Sequence, residues 1–174
     1  MPITSRKKNI REREEEGLKK FVLVSKFNDF ELYDFYFWNY YIPQISKEFD
    51  LLRIGKNSIV NIELKEEAIE ERIKKQLGQN NYYLKSLNRK VYTFCYVTNS
   101  KILYRYYYEG NVLQKIKFED LKSILLNQQE LIDKNIDSLF EPSQFLVSPF
   151  NKTAEFLNNE YFLTDQQVNI KKIF

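Results

Sequence analysis

The stretch from Phe49 to Val97 limits the possible folds more than any other part of the chain. Two short apolar-rich runs, Phe49–Ile54 and Ile59–Lys65, flank the turn-forming tetrapeptide Gly55-Lys56-Asn57-Ser58, so they read as a β-hairpin. Residues Glu66–Leu87 then place Ile69, Ile73, Leu77, Leu84 and Leu87 on or near one helical face. Gly78 within that stretch costs about 1 kcal/mol relative to alanine and does not end the helix. Val91–Val97 (VYTFCYV) is β-branched and aromatic, as a strand requires. A helix joining two strands of one sheet implies a parallel, right-handed crossover. The second hairpin strand is then a central one.

The flanking segments extend this pattern. Ile102–Tyr108 and Val112–Phe118 read as strands across a Glu109-Gly110-Asn111 turn, and Glu119–Ile132 as a helix. Upstream, Phe27, Phe30, Tyr33 or Asp34, Phe37 and Tyr41 fall at helical spacing, which predicts a buried amphipathic helix within Phe21–Tyr41 ending near Pro43. Thr4–Lys20 carries seven Lys/Arg and four Glu, a solvated helix or an arm. Toward the end, Pro142–Phe150 reads as irregular, Asn151–Asn158 as a short helix, and Thr164 as an N-cap. The order is helix, strand, strand, helix, three strands, helix. The expected class is α/β (α+β), a mixed sheet flanked by helices, with 1–20 an arm, 21–132 the core and 133–174 an extension.

Within the central strand, alternation turns Asn61, Glu63 and Lys65 to one face and Val60, Ile62 and Leu64 to the other. A solvated face would explain this in an antiparallel sheet, but a central strand covered by helices seldom spends a face on charge. Asp50 near the start of its strand and Glu63 near the end of the next become neighbours in the hairpin. Two adjacent carboxylates repel unless a cation separates them, and Lys65 lies on the same face.

Composition narrows the chemistry. The 174 residues contain no histidine and one cysteine, Cys95, which excludes histidine-based triads and zinc sites of ordinary ligand set. No glycine stands in a phosphate-loop pattern. What is left is carboxylates, lysines, tyrosines and a hard ion such as Mg²⁺ or Mn²⁺. The lone cysteine and the absence of a signal-peptide or membrane-spanning pattern lead us to expect a cytoplasmic protein. The net charge of +3 permits a polyanionic partner without requiring one.

Asp50-Leu51-Leu52-Arg53-Ile54 followed by Asn61-Ile62-Glu63-Leu64-Lys65 resembles the PD-(D/E)XK nuclease superfamily, with Phe49 where the family pattern has proline. The next helix carries Gln76-Leu77-Gly78-Gln79-Asn80-Asn81-Tyr82-Tyr83-Leu84, similar to the Gln-x-x-x-Tyr motif of its RecB-like branch. The resemblance spans about residues 25 to 120 and implies a restriction-endonuclease-like sheet of core order αβββαβ. It also implies Mg²⁺- or Mn²⁺-assisted hydrolysis of nucleic acid, DNA ahead of RNA. Asp50, Glu63 and the Leu64 carbonyl would hold metal, and Lys65 would orient or help deprotonate the attacking water. Gln76 or Gln79, with Tyr83, would position the phosphate or a metal-bound water. Glu31 is an additional carboxylate candidate, or simply part of a solvated face. Tyr104–Tyr108 with Lys85, Arg89, Lys90, Lys101 and Arg105 could contact nucleic acid or pack on strand faces. Glu160–Val168 looks like the glutamine-bearing segment that precedes the phosphate loop of helicases, which implies a helicase in cis or trans and a setting in DNA repair or phage defence. The competing expectation is a catalytically silent binding module on the same fold.

Overall fold

The computed structural model describes residues 3–42, 47–131 and 136–140, with side chains from Glu12 onward. Six strands form one sheet in chain order: β1 (Tyr36–Ile42), β2 (Lys47–Ile54), β3 (Ser58–Lys65), β4 (Lys90–Val97), β5 (Ile102–Tyr107) and β6 (Val112–Ile116). All neighbours are antiparallel except β3 and β4, which run parallel with Ser58 opposite Lys90 and Lys65 opposite Val97. The crossover between them is α2 (Glu70–Lys85), and α1 (Ile3–Ser25) and α3 (Phe118–Leu126) are the other α-helices among the described residues. The sheet is mixed α/β, and α1, β1, β2, β3, α2 and β4 follow one another in the expected αβββαβ order. Among the described residues no helix is long and apolar enough to cross a membrane.

Strand alternation divides the core in two. Leu51, Val60, Ile62, Phe94, Tyr96 and Leu103 pack with Phe21 of α1 and with Leu121 and Leu125 of α3. On the opposite face Phe49, Leu52, Ile54 and Ile59 meet Tyr83 and Leu84 of α2 and Ile136 and Phe140 of the following segment. Farther along that face Ile73 and Leu77 cover Cys95, Val97, Tyr104 and Tyr106. β3 and β4 are therefore covered on both sides, as a parallel pair requires.

The expected aromatic helix over Phe21–Tyr41 does not form. α1 continues to Ser25 and is unbroken across residue 20. Asp29 then caps a 3₁₀ turn at Phe30–Tyr33, and Tyr36–Ile42 is an edge strand. Lys26, Phe35 and Asn39 adopt positive φ of 47°, 62° and 50°, which no α-helix accommodates. Aromatic residues are dense enough here to match helical spacing by coincidence, while their β preference wins in the strand. The later elements differ from expectation mainly in length. The 142–150, 151–158, Thr164 and 160–168 readings lie outside the described residues.

The β2–β3 turn is docked against the segment after α3. Lys56 N–H donates to the Gln129 carbonyl at 2.8 Å, and a Cβ on Gly55 would stand 2.9 Å from that same oxygen. Gly55→Ala should therefore lower stability by about 1–3 kcal/mol through overpacking. An unchanged urea midpoint would show that residues 127–131 yield without cost.

Candidate active site

β2 changes face at Asp50. Phe49 shares the α2 side with Leu52 and Ile54, although strict alternation would place it with Leu51 on the other side. The β1–β2 register pairs Trp38 with Leu51 and Tyr40 with Phe49, passing over Asn39 and Asp50, and the positive φ of Asn39 marks the irregularity on the other strand. The β2–β3 ladder ends at Leu51 opposite Ile62. Beyond it the Leu64 N–H donates to Asp50 Oδ2 at 2.7 Å. The carboxylate thus occupies the place where β2 and β3 cease to pair, and a main-chain donor fixes it.

Glu63 is 1% exposed and is held by donors from two elements. Its Oε1 accepts from Asn61 Nδ2 at 3.1 Å and from Asn80 Nδ2 at 2.8 Å, and its Oε2 accepts from Gln76 Nε2. Asn61 and Asn80 also bond to each other at 2.7 Å. Gln76 and Asn80 are one helical turn apart on α2, so a single helix face closes over the polar face of β3. Burial, then the charge of Asp50, pushes the Glu63 carboxyl up to about 7, while Lys65 pulls it down.

Lys65 Nζ stands 3.7 Å from Asp50 Oδ2 and 3.6 Å from Glu63 Oε2, so the ammonium is the cation between the two acids. Burial would lower its pKa, but the two carboxylates outweigh this and hold it above the ordinary lysine range. Asp50 and Lys65 are open to solvent, with side chains 17% and 32% exposed. Lys65 lines a cleft of about 790 Å³ that opens between the ends of β3 and β4 and the α1 residues Glu12 to Lys20. Gly17 brings α1 close: a Cβ there would lie 3.6 Å from Leu64 Cβ. Cys95, opposite Glu63 in the β3–β4 register, is buried with its thiol pushed up to about 12 by that burial, and it is no nucleophile at neutral pH.

The structure brings together Asp50, Glu63, Lys65 and Gln76. Gln79 is half-buried and does not join the bonds to Glu63. Tyr83 lies in the apolar cluster at the Ile59 end of β3, four residues from Glu63 along the strand. Glu31 is exposed in the 3₁₀ turn beside α3, where its carbonyl accepts from Arg53, and is not part of the acidic pair. Sequence reading overlooked Asn80, although the Gln76–Leu84 stretch contains it. Its signal is the i,i+4 spacing from Gln76 combined with an amide at a core position.

Asp50 and Glu63, a pair of hard oxygen donors already separated by a cation, suit Mg²⁺, which takes one or two carboxylates and fills its shell with water. Among the described residues no cluster of three His, Cys, Asp or Glu could hold a metal ion. Glu14 and Glu48 add negative charge nearby: burial, then Glu14, then Asp50 raises the Glu48 carboxyl. No protein-family model matches the chain, and no curated protein or solved structure matches it either.

Proposed function

We propose that the protein is a metal-dependent nuclease that hydrolyses phosphodiester bonds of nucleic acid, DNA in the first instance. The observation that carries this reading is the placement of Lys65 between a buried and a partly exposed carboxylate at the mouth of a cleft. Asp50, Glu63 and the Leu64 carbonyl would hold Mg²⁺ or Mn²⁺, which supplies polarisation of the phosphate and an acidic bound water. An amine held above its ordinary range stays protonated at neutral pH. Lys65 therefore orients the water and offsets charge on the phosphate rather than taking a proton. Gln76, Asn61 and Asn80 fix the Glu63 carboxylate in one orientation.

The donors already gathered on Glu63 favour a second reading. Three hydrogen-bond donors, Asn61, Asn80 and Gln76, hold its oxygens and the Lys65 ammonium stands 3.6 Å from Oε2, so ligation of a metal at Oε2 requires Lys65 or Gln76 to shift. If neither does, the cluster is a polar latch in a silent binding module. Incubation with single- and double-stranded DNA in Mg²⁺ or Mn²⁺, beside Asp50→Ala and Lys65→Ala, decides between the two. Cutting by the wild type alone supports the nuclease, and equal inertness with retained DNA binding supports the module. A helicase in cis or trans, and a cytoplasmic role in repair or phage defence, are further proposals that rest on the sequence resemblance.

The two glutamines separate cleanly under the nuclease reading. Gln76→Ala should raise the Mg²⁺ concentration needed for half-maximal cleavage by roughly 10-fold, the usual effect of removing a group that orients a ligand. Gln79→Ala should leave it unchanged, and an equal effect of the two would remove the positioning role of Gln76.

A further inference from the structure

At the opposite end of β4 from Lys65, the end of α2, the start of β4 and the end of β5 enclose a second cleft of about 260 Å³. Four cations line it, Lys85, Arg89, Lys90 and Arg105, against the single carboxylate of Glu109. Among the described residues none of the four forms an ion pair. Three rest on aromatic rings instead. The Arg105 guanidinium lies 4.3 Å from the Tyr107 ring centre and 5.0 Å from that of Tyr92. Lys85 Nζ is 3.8 Å from the Tyr108 ring centre and Lys90 Nζ 5.2 Å from that of Tyr92.

Surface packing accounts for each pair separately. It does not account for two unpartnered polar atoms among the residues that line the cleft. Asn81, which lines the cleft, is 3% exposed with no partner for Oδ1, and Arg105 has none for Nε. Buried polar groups are ordinarily satisfied, so each of these two lining residues still has a hydrogen bond to offer a ligand. An anion satisfies Arg105 and an N–H edge satisfies Asn81. Inorganic phosphate or an acidic peptide side chain brings charge without a stackable ring, whereas duplex nucleic acid keeps its base faces stacked inside. An unpaired nucleotide brings phosphate oxygens, a base edge and a base face together.

We propose that this cleft binds single-stranded nucleic acid, its phosphates on Lys85, Arg89 and Arg105 and its bases against the tyrosines. Tyr92 precedes Val97, the residue opposite Lys65, by five positions, or about 16 Å along the strand, a distance that a bound nucleic-acid strand of a few nucleotides would span on its way to Lys65. Only this path depends on the nuclease reading; the binding itself does not.

The test is fluorescence anisotropy of a labelled mixed-sequence single-stranded DNA with the full chain in EDTA, where metal-dependent cleavage cannot occur. Lys85→Gln with Arg105→Gln should weaken binding roughly tenfold or more and flatten the slope of log K against log salt by about 1.4, at about 0.7 per lost charge. Lys85→Gln alone, at an exposed position, gives half of that change in slope if the double variant fails to fold. Tyr108→Ala should weaken single-strand binding, and Lys122→Gln on α3 should not. Unchanged binding by the double variant, an equal loss in Lys122→Gln, or equally tight binding of duplex or polyglutamate would overturn the proposal. Binding in EDTA without cleavage in Mg²⁺ removes the catalytic reading alone. Normal cutting and binding by the double variant removes the cleft alone.

Discussion

Lys65→Met is expected to lower metal-dependent cleavage by roughly 10²–10⁴-fold, the range for loss of a group acting on a proton or charge in the transition state. Methionine keeps most of the side-chain volume but removes the cation that lies 3.7 and 3.6 Å from Asp50 and Glu63. The carboxylates then face each other without the ammonium between them, and the largest of the influences that hold the Glu63 carboxyl down is gone. Residual activity should therefore require a higher pH as well as being slow. Asp50→Asn separates charge from geometry: its amide oxygen can still accept the Leu64 N–H that now bonds Asp50 Oδ2 at 2.7 Å, so the strand junction persists while the proposed metal ligand loses its charge. Its loss should appear chiefly as a higher metal requirement. If Lys65→Met retains wild-type rate and pH profile, Lys65 has no part in chemistry and the acidic pair is structural.

The sequence makes the Glu63 end of this site readable because a period of two is strict. Once β3 is central, Asn61, Glu63 and Lys65 must share a face, and the crossover must lay α2 over it. The Asp50 end is less readable for the same reason. The hairpin rule assumes regular alternation, while the chain changes face at Asp50 opposite an Asn39 with positive φ. Nothing in Phe49-Asp50-Leu51 signals such a shift, since its cause is the junction with β1 and the carboxylate bond to Leu64 N–H.

β1 itself is hidden by composition. In Tyr36–Ile42 nearly every residue is aromatic or apolar, so helical and extended spacings both find partners. The decision falls to Lys26, Phe35 and Asn39 in left-handed conformations, which two of those three residue types do not advertise. Asn80 illustrates another limit. An amide is legible as core only when its partner across the layer is known, and the partner, Glu63 with Asn61, is 17 to 19 residues away.

Glu63→Gln should remove a pH dependence of stability opposite to that of an ordinary ion-paired carboxylate. In the unfolded chain the carboxyl titrates near 4.5, and in the fold near 7. Below pH 4.5 both states hold the proton and nothing is lost. Between 4.5 and 7 the unfolded chain releases it while the fold retains it, so stability falls with rising pH, and above 7 the difference is complete. That displacement corresponds to on the order of 3 kcal/mol. Glutamine has no proton to release, and Gln76 can rotate its amide to present an oxygen to the new NH₂. Urea denaturation of the two proteins should therefore show the wild type losing about 3 kcal/mol relative to Glu63→Gln between pH 4.5 and 8, and parallel curves would refute the buried-acid assignment. Saturating Mg²⁺ at pH 8 extends the argument. A ligand at 100 times its Kd stabilises the fold by about 2.7 kcal/mol, so if Glu63 ligates the ion, the wild type should recover most of the gap and Glu63→Gln should not. If Mg²⁺ moves neither curve, the three amide donors and Lys65 keep Glu63 to themselves, and the cluster is a latch within a binding module.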